Sequence, residues 1–199
     1  GGIGGDTAYD MNKRLDGDIF SKNPTVLMVT FGMNDSGYYE YNGDNAKEFG
    51  EQKYQESIKN FQQMEKRFKE LPHTRIVMTG TSPYDETAQI KDNTVFKKKN
   101  ETIKRIIEYQ RESAARNGWE FTDWNAPMVA TNQELQQKDP SFTLCGNDRI
   151  HPDNDGHMVM AYLFLKAQGF AGKDVANMEI NANKKQAVKA EGCTISNIK

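Results

Sequence analysis

The sequence predicts an α/β domain built on a parallel sheet that helices cover on both faces. Two continuous apolar runs, "PTVLMVTFG" ending at Gly32 and "RIVMTG" over 75–80, have the form of strands buried on both faces. Long stretches with apolar residues three and four apart lie between and after them. Strand-like and helix-like segments alternate along the chain, the pattern that gives parallel pairing through helical crossovers. A length of 199 residues suits one such domain.

The elements follow in order. After "GGIGG", Thr7 and Asp10 stand at the spacing of a capping box, and Ala8, Met11, Leu15 and Ile19 recur at helical spacing, so a first helix begins directly behind the glycines. Pro24 opens the first strand and Gly32 closes it. Tyr54, Ile58, Phe61, Met64, Phe68 and Leu71 then mark an amphipathic helix that stops at Pro72. The second strand leads into the polar loop "TGTSPYDE". Ile103, Ile106 and Ile107 signal the next helix, ended by Asn117 and Gly118. "WEFTDW" reads as a third strand, 127–139 as a short helix and 153–168 as a last one, with Asp153, Asn154 and Asp155 at the end where the helix dipole favours acid. The longest apolar run, "MVMAYLFL", is far shorter than the ~18 residues of a membrane span and reads as a buried helix. From about Ala171 aromatic residues disappear and the chain ends in a strand-like "CTISNIK". The domain is therefore placed at 1–170, with 171–199 a C-terminal extension or the start of a further domain.

Composition narrows the function classes. With 36% hydrophobic and 27% charged residues and a mean hydropathy of -0.83, the chain can form a core under a largely polar surface. A formal charge of -2 gives no basic stripe, which argues against a nucleic-acid partner. The tight basic run Lys97, Lys98, Lys99 reads as a solvated helix face. Cys145 and Cys193 are too few for a disulfide framework or a zinc knuckle, and whether they pair is left open.

The chemistry concentrates in "GNDRIHPDNDGH". A histidine works as a general base near neutral pH when its tautomer and aim are fixed, and a carboxylate three residues away on a turn does both, so Asp148 and His151 are candidates. A calcium loop fails here because His151 and Tyr162 occupy its first and twelfth positions, and zinc lacks ligands at any familiar spacing, so no metal is expected. Strand ends in a parallel sheet are where ligands sit. Glycines before a helix, as in "GGIGGDT", expose backbone N–H groups, and Asn34 of "GMND" adds a side-chain donor; together they suit an oxyanion, or they are simply turns.

"IGGDT" at 3–7, "GMND" at 32–35 and "DRIH" at 148–151, in that order, resemble the second, third and fifth blocks of the SGNH hydrolases, also called GDSL esterases and lipases. The resemblance implies a three-layer α/β/α sandwich with a flavodoxin-like sheet of strand order 2-1-3-4-5, and an acyl-transfer mechanism that needs no cofactor. It implies that Gly5 and Asn34 are oxyanion donors, His151 the base and Asp148 its orienting partner. The family's nucleophilic serine lies upstream of the block-two glycine, and no serine precedes Gly5 here. Ser36, Ser82 and Ser141 sit in site loops but lack a strand-to-helix elbow. The chain alone is expected to be inactive. The family's first two strands also precede block two, so the strand "VLMVTF" is expected to lack its inner neighbour, which a segment in cis, another chain or a dimer partner would supply.

Tyr38, Tyr39 and Tyr41 follow "GMND", Tyr84 lies in "TSPYDE" and Trp124 at the third strand end. Aromatic faces with polar edges suit sugar rings, so Tyr38, Tyr39, Tyr84 and Trp124 are taken as substrate-binding candidates. The expectation is a carbohydrate O-acetylesterase that is secreted or periplasmic. The alternative is a non-catalytic glycan-binding or scaffolding relative without a nucleophile.

Overall fold

Parallel pairing of the three apolar segments builds the centre of the structure, a computed structural model that describes residues 1–91 and 94–198. β1 (Val26–Phe31), β2 (Arg75–Gly80) and β3 (Glu120–Asp123) form a sheet in that order. Leu27 lies beside Ile76, Val29 beside Met78, and Met78 in turn beside Phe121. Each crossover carries a long helix, α3 (Ala46–Phe68) between β1 and β2 and α4 (Lys99–Asn117) between β2 and β3. Leu27, Val29 and Phe31 meet Ile76 and Met78 on one face of the sheet, where Phe61, Met64 and Phe68 of α3 and Ile106 of α4 close over them. Each such side chain contributes ~1.5–3 kcal/mol on burial, which makes this layer the main stabilising contact.

The second face of β1 departs from the sequence expectation. Val26, Met28 and Thr30 are exposed, so the run is buried on one face rather than two. β2 by contrast buries every residue after Arg75. Helices α3 and α4 cover the face that carries Leu27, Val29 and Phe31; β1 is in addition an edge strand, and among the described residues only β2 pairs with it. A groove of about 330 Å³ runs along this open edge, from Leu27 to Gly32 and Asn34.

At the amino end, Thr7 and Asp10 do form a capping box ahead of α1 (Ala8–Lys13). The expected single helix breaks at Arg14, and α2 (Leu15–Asp18) follows. The guanidinium of Arg14 bonds Asp6 at 2.8 Å and Asp18 at 2.6 Å, and so braces the two short helices. Beyond β3 come α5 (Asn125–Leu135) and α6 (Asn154–Ala167). Of α6 only Gly156 is buried, which corrects the expectation of a buried helix over "MVMAYLFL". Val159, Met160 and Leu163 pack on Trp124, Met128 and Leu144, whereas Met158 points to solvent. A helix apolar on most sides can rest only one side on a neighbour. Among the described residues no helix is long and apolar enough to cross a membrane.

The chain divides into two units, Gly1–Phe164 and Leu165–Lys199. The second contains an antiparallel hairpin, β4 (Asn177–Asn181) and β5 (Gln186–Glu191), with Met178 beside Ala190. The strand expected over "CTISNIK" is absent from 193–198, and Lys199 lies outside the described residues. The hairpin instead uses the stretch before it, where the short loop 182–185 closes the turn.

Candidate active site

Asp35 organises the loop that follows β1. Its buried carboxylate accepts the Gly32 N–H at 3.1 Å on Oδ2, and the Ala8 N–H at 3.0 Å and the Ser57 hydroxyl at 3.1 Å on Oδ1. One side chain thereby fastens the end of β1 to the start of α1 and to α3. Burial pushes its pKa up, while these three donors pull it back.

The glycine turn is set against that loop. Gly5 has φ +86°, in the left-handed region that favours glycine, and the carbonyl of Asp6 beside it accepts an N–H of Asn34 at 3.0 Å. The Tyr38 hydroxyl donates to Asn34 Oδ1 at 2.5 Å. The amide is therefore held at both ends: its oxygen is capped by Tyr38 and one N–H is taken by Asp6. An asparagine NH2 has two donors, and among the described residues the second has no partner.

The third segment is the loop between α5 and α6. Asp148 Oδ1 accepts the N–H groups of Ile150 and His151, both at 2.9 Å, and its Oδ2 stands 2.6 Å from His151 Nδ1. A carboxylate accepts on that contact, so Nδ1 carries a proton there and Nε2 is turned away from it. Partial burial raises the Asp148 pKa, but the bonds from the imidazole and the two backbone donors outweigh it and hold the carboxyl below its ordinary value. Arg149, between them, is fully buried at φ +67° and donates to the carbonyls of Asp85 at 3.0 Å and Ala88 at 2.8 Å. It roots the turn in the loop after β2. Gly146 starts the turn at φ +65°, where a Cβ would stand 2.6 Å from the His151 carbonyl oxygen.

Tyr38 joins the segments. Its ring meets Phe96 edge-on at 5.9 Å, in a cluster that also contains Met33 and Ile150. Burial together with the charges of Asp148 and Asp35 pushes its phenol up to about 12. The structure thus brings the Asn34 loop, the glycine turn and the Asp148–His151 turn into one neighbourhood at the carboxyl ends of the strands. An imidazole bonded to a carboxylate that fixes its tautomer, with an amide N–H in the same neighbourhood, is an arrangement capable of acid–base and oxyanion chemistry.

Other candidates are placed elsewhere. Tyr84, expected to face a substrate, is instead 1% exposed; its oxygen accepts the Phe96 N–H at 3.0 Å and its ring stacks on Phe96, so its side chain is packed in the core. Trp124 is likewise buried, with its indole N–H on the Met160 carbonyl at 3.1 Å and its ring against Met128 and Leu144. The Tyr84 N–H bonds Asn100 of α4 at 3.2 Å as Trp124 bonds Met160 of α6, contacts between residues far apart in the chain. Of the four aromatic candidates, Tyr38 has its hydroxyl engaged and Tyr39 meets Phe96 edge-on at 5.4 Å while remaining 79% exposed. The Ser36 hydroxyl donates to the Met33 carbonyl at 2.9 Å, and that of Ser141 to Asp139 at 2.7 Å; Ser82 is buried. Both cysteines are free, and burial pushes the Cys145 thiol up to about 12.

Lys99 overturns its sequence reading as well. It is fully buried, not part of a solvated face, although Lys97 and Lys98 are exposed. The signal was available: Lys99, Ile103, Ile106 and Gln110 fall at helical spacing on one face, and all four are buried.

Over residues 1–159 the chain matches the sequence profile of the GDSL-like lipase/acylhydrolase family. No curated protein matches it. A solved structure described as BT4096, a gut microbial diltiazem-metabolizing enzyme, is 99% identical with a TM-score of 0.90 over 100% of this chain and 45% of its own. The chain therefore spans less than half the length of that relative. A catalytic mutant of Axe2, an acetylxylan esterase from Geobacillus stearothermophilus, is 20% identical with a TM-score of 0.65 over 85% of this chain and 70% of its own. The acetyl xylan esterase AlAXEase is 22% identical with a TM-score of 0.61 over 84% and 78%. These two share the fold. The catalytic mutants of Axe2 replace a serine, an aspartate and a histidine, the last two standing three positions apart.

Proposed function

Because this chain belongs to the GDSL-like lipase/acylhydrolase family, we propose that it forms the acid–base and oxyanion half of a serine ester hydrolase that removes acetyl groups from carbohydrates. His151 Nε2 takes the proton of the serine hydroxyl as that oxygen attacks the ester carbonyl. Asp148 keeps the proton on Nδ1 and stabilises the imidazolium that results. The free N–H of Asn34 and the backbone N–H of Gly5 receive the tetrahedral oxyanion. Collapse transfers the imidazolium proton to the departing alcohol and leaves an acyl-enzyme. Water, deprotonated by the same imidazole, then releases the acid.

The serine in this reading lies on a segment that pairs with the open edge of β1. An unpaired strand edge presents a row of backbone donors and acceptors, and the groove beside it runs up to Asn34. The much greater length of the 99% identical relative supports a longer polypeptide. The reading is carried chiefly by one observation, the 2.6 Å contact of Asp148 with His151 beside an Asn34 amide already oriented by Tyr38. The acetylxylan esterases that share the fold support an acetylated sugar as substrate, and the open ring of Tyr39 offers it a face. The relative described as diltiazem-metabolizing supports a site that also admits other small molecules.

The test uses the complete gene product, with p-nitrophenyl acetate, acetylated xylo-oligosaccharide and diltiazem as substrates. Hydrolysis that disappears in His151→Ala supports the proposal. Equal rates for the two proteins sink it.

A further inference from the structure

Lys99 is the first residue of α4, a 19-residue helix. A cation there opposes the helix dipole, whose amino end is itself positive, and burial removes its hydration. Something must offset both costs. Its ammonium donates to the Met33 carbonyl at 2.7 Å, the Ser36 hydroxyl at 2.6 Å and the Gly37 carbonyl at 2.5 Å. Three N–H groups thus find three oxygens. Those oxygens bracket Asn34 on both sides. The ammonium also sits 3.9 Å over the ring of Tyr38, the residue that caps the Asn34 amide oxygen.

We propose that Lys99 is a positioning residue for Asn34: it locks the turn over 32–38 in the arrangement that aims the free amide N–H at the substrate carbonyl. The proposal rests on the acyl-transfer reading above. An apolar side chain at 99 would leave the Met33 carbonyl with the Ser36 hydroxyl alone and the Gly37 carbonyl with no donor among the described residues, and the turn would be free to rotate the amide away. The groups that face the ammonium are Asp35 from the turn itself, Glu86 from the loop after β2, and the rings of Tyr38 and Tyr84. Burial draws the lysine down to about 7, against the opposing pull of Asp35 and Glu86.

A double-mutant cycle in the complete gene product decides it, with p-nitrophenyl acetate as substrate and circular dichroism to check folding. Removing one oxyanion donor costs ~10²–10³ in kcat, and Lys99→Met is expected to cost about 10²-fold with little change in KM. In an Asn34→Ala background the same substitution should change kcat by less than about twofold, since the group it positions is gone. A full further loss in that background, or an unaffected Lys99→Met, overturns the proposal while an inactive His151→Ala leaves the esterase reading standing. Wild-type hydrolysis no faster than that of His151→Ala removes the esterase reading and this proposal with it. Should Lys99→Met fail to fold, Lys99→Gln, whose amide keeps two N–H donors, is put through the same cycle. A loss in kcat that disappears in the Asn34→Ala background supports the clamp; an equal loss in both backgrounds, or none in either, overturns it.

Discussion

Replacing Asp148 by Asn separates catalysis from stability at a single atom. The amide oxygen of Asn preserves the acceptor that Oδ1 offers to the Ile150 and His151 N–H groups, both at 2.9 Å, so the turn should keep its shape. The other oxygen, 2.6 Å from His151 Nδ1, becomes an NH2. Two donors cannot face each other, so the imidazole adopts the opposite tautomer, with its proton on Nε2 and its lone pair turned inward. The base is then protonated on the nitrogen that must accept. In a serine-histidine-aspartate arrangement this exchange costs about 10⁴ in kcat. Each decade is 1.36 kcal/mol of barrier, so the expected loss of ~10³–10⁴ corresponds to roughly 4–5.5 kcal/mol. The fold should scarcely notice. Side-chain exposures of 81% for His151 and 51% for Asp148 limit the pair's contribution to stability to about 1 kcal/mol or less. Steady-state hydrolysis of p-nitrophenyl acetate and urea unfolding, both on the complete gene product, measure the two quantities. Asp148→Asn with kcat within tenfold of wild type would refute the assignment of Nε2 as the base.

Three further outcomes follow from named contacts. Lys99, drawn down to about 7 from an ordinary 10.5, is neutral in the folded chain over a pH range in which the unfolded chain takes up a proton. Wild-type stability relative to Lys99→Met should therefore rise with pH from about 7 to 10.5, by up to ~5 kcal/mol, and level off below 7; urea titrations that differ by a constant across this window would contradict it. Trp124→Phe should leave kcat and KM within about twofold of wild type and cost ~1 kcal/mol for the lost bond to the Met160 carbonyl, because the ring is buried away from solvent; a raised KM for acetylated xylo-oligosaccharide would restore it as a sugar platform. Gly146→Ala should lose ~1–3 kcal/mol of stability and lower kcat, because φ +65° is strained for alanine and its Cβ would press on the His151 carbonyl; thermal melts and esterase rates check both.

Local features were legible in the chain. The Thr7–Asp10 capping box, the crossover helices and the contact of Asp148 with His151 all join residues three or four apart, or repeat with a fixed period, and such relations survive whatever the rest of the fold does. Other features were misread because the deciding partner is distant. "PTVLMVTFG" looked doubly buried because apolar composition records what a face could bury, whereas Val26 and Met28 are exposed on the face opposite the one that α3 and α4 cover. The aromatics of the strand-end loops looked alike, yet Tyr39 is open while Tyr84 and Trp124 are core.

By itself the sequence determined the alternation of strands and helices, the order of the three site segments and the aspartate–histidine turn, since short-range sterics and hydrogen bonding set all of these. Only the tertiary structure decided that Asp35 ties three elements together, that Tyr38 caps the Asn34 amide and that Lys99 is buried beneath the same turn. Those contacts depend on which segments are packed side by side. A charged residue reads as surface until the acceptors that can replace its water are brought to it from elsewhere in the chain.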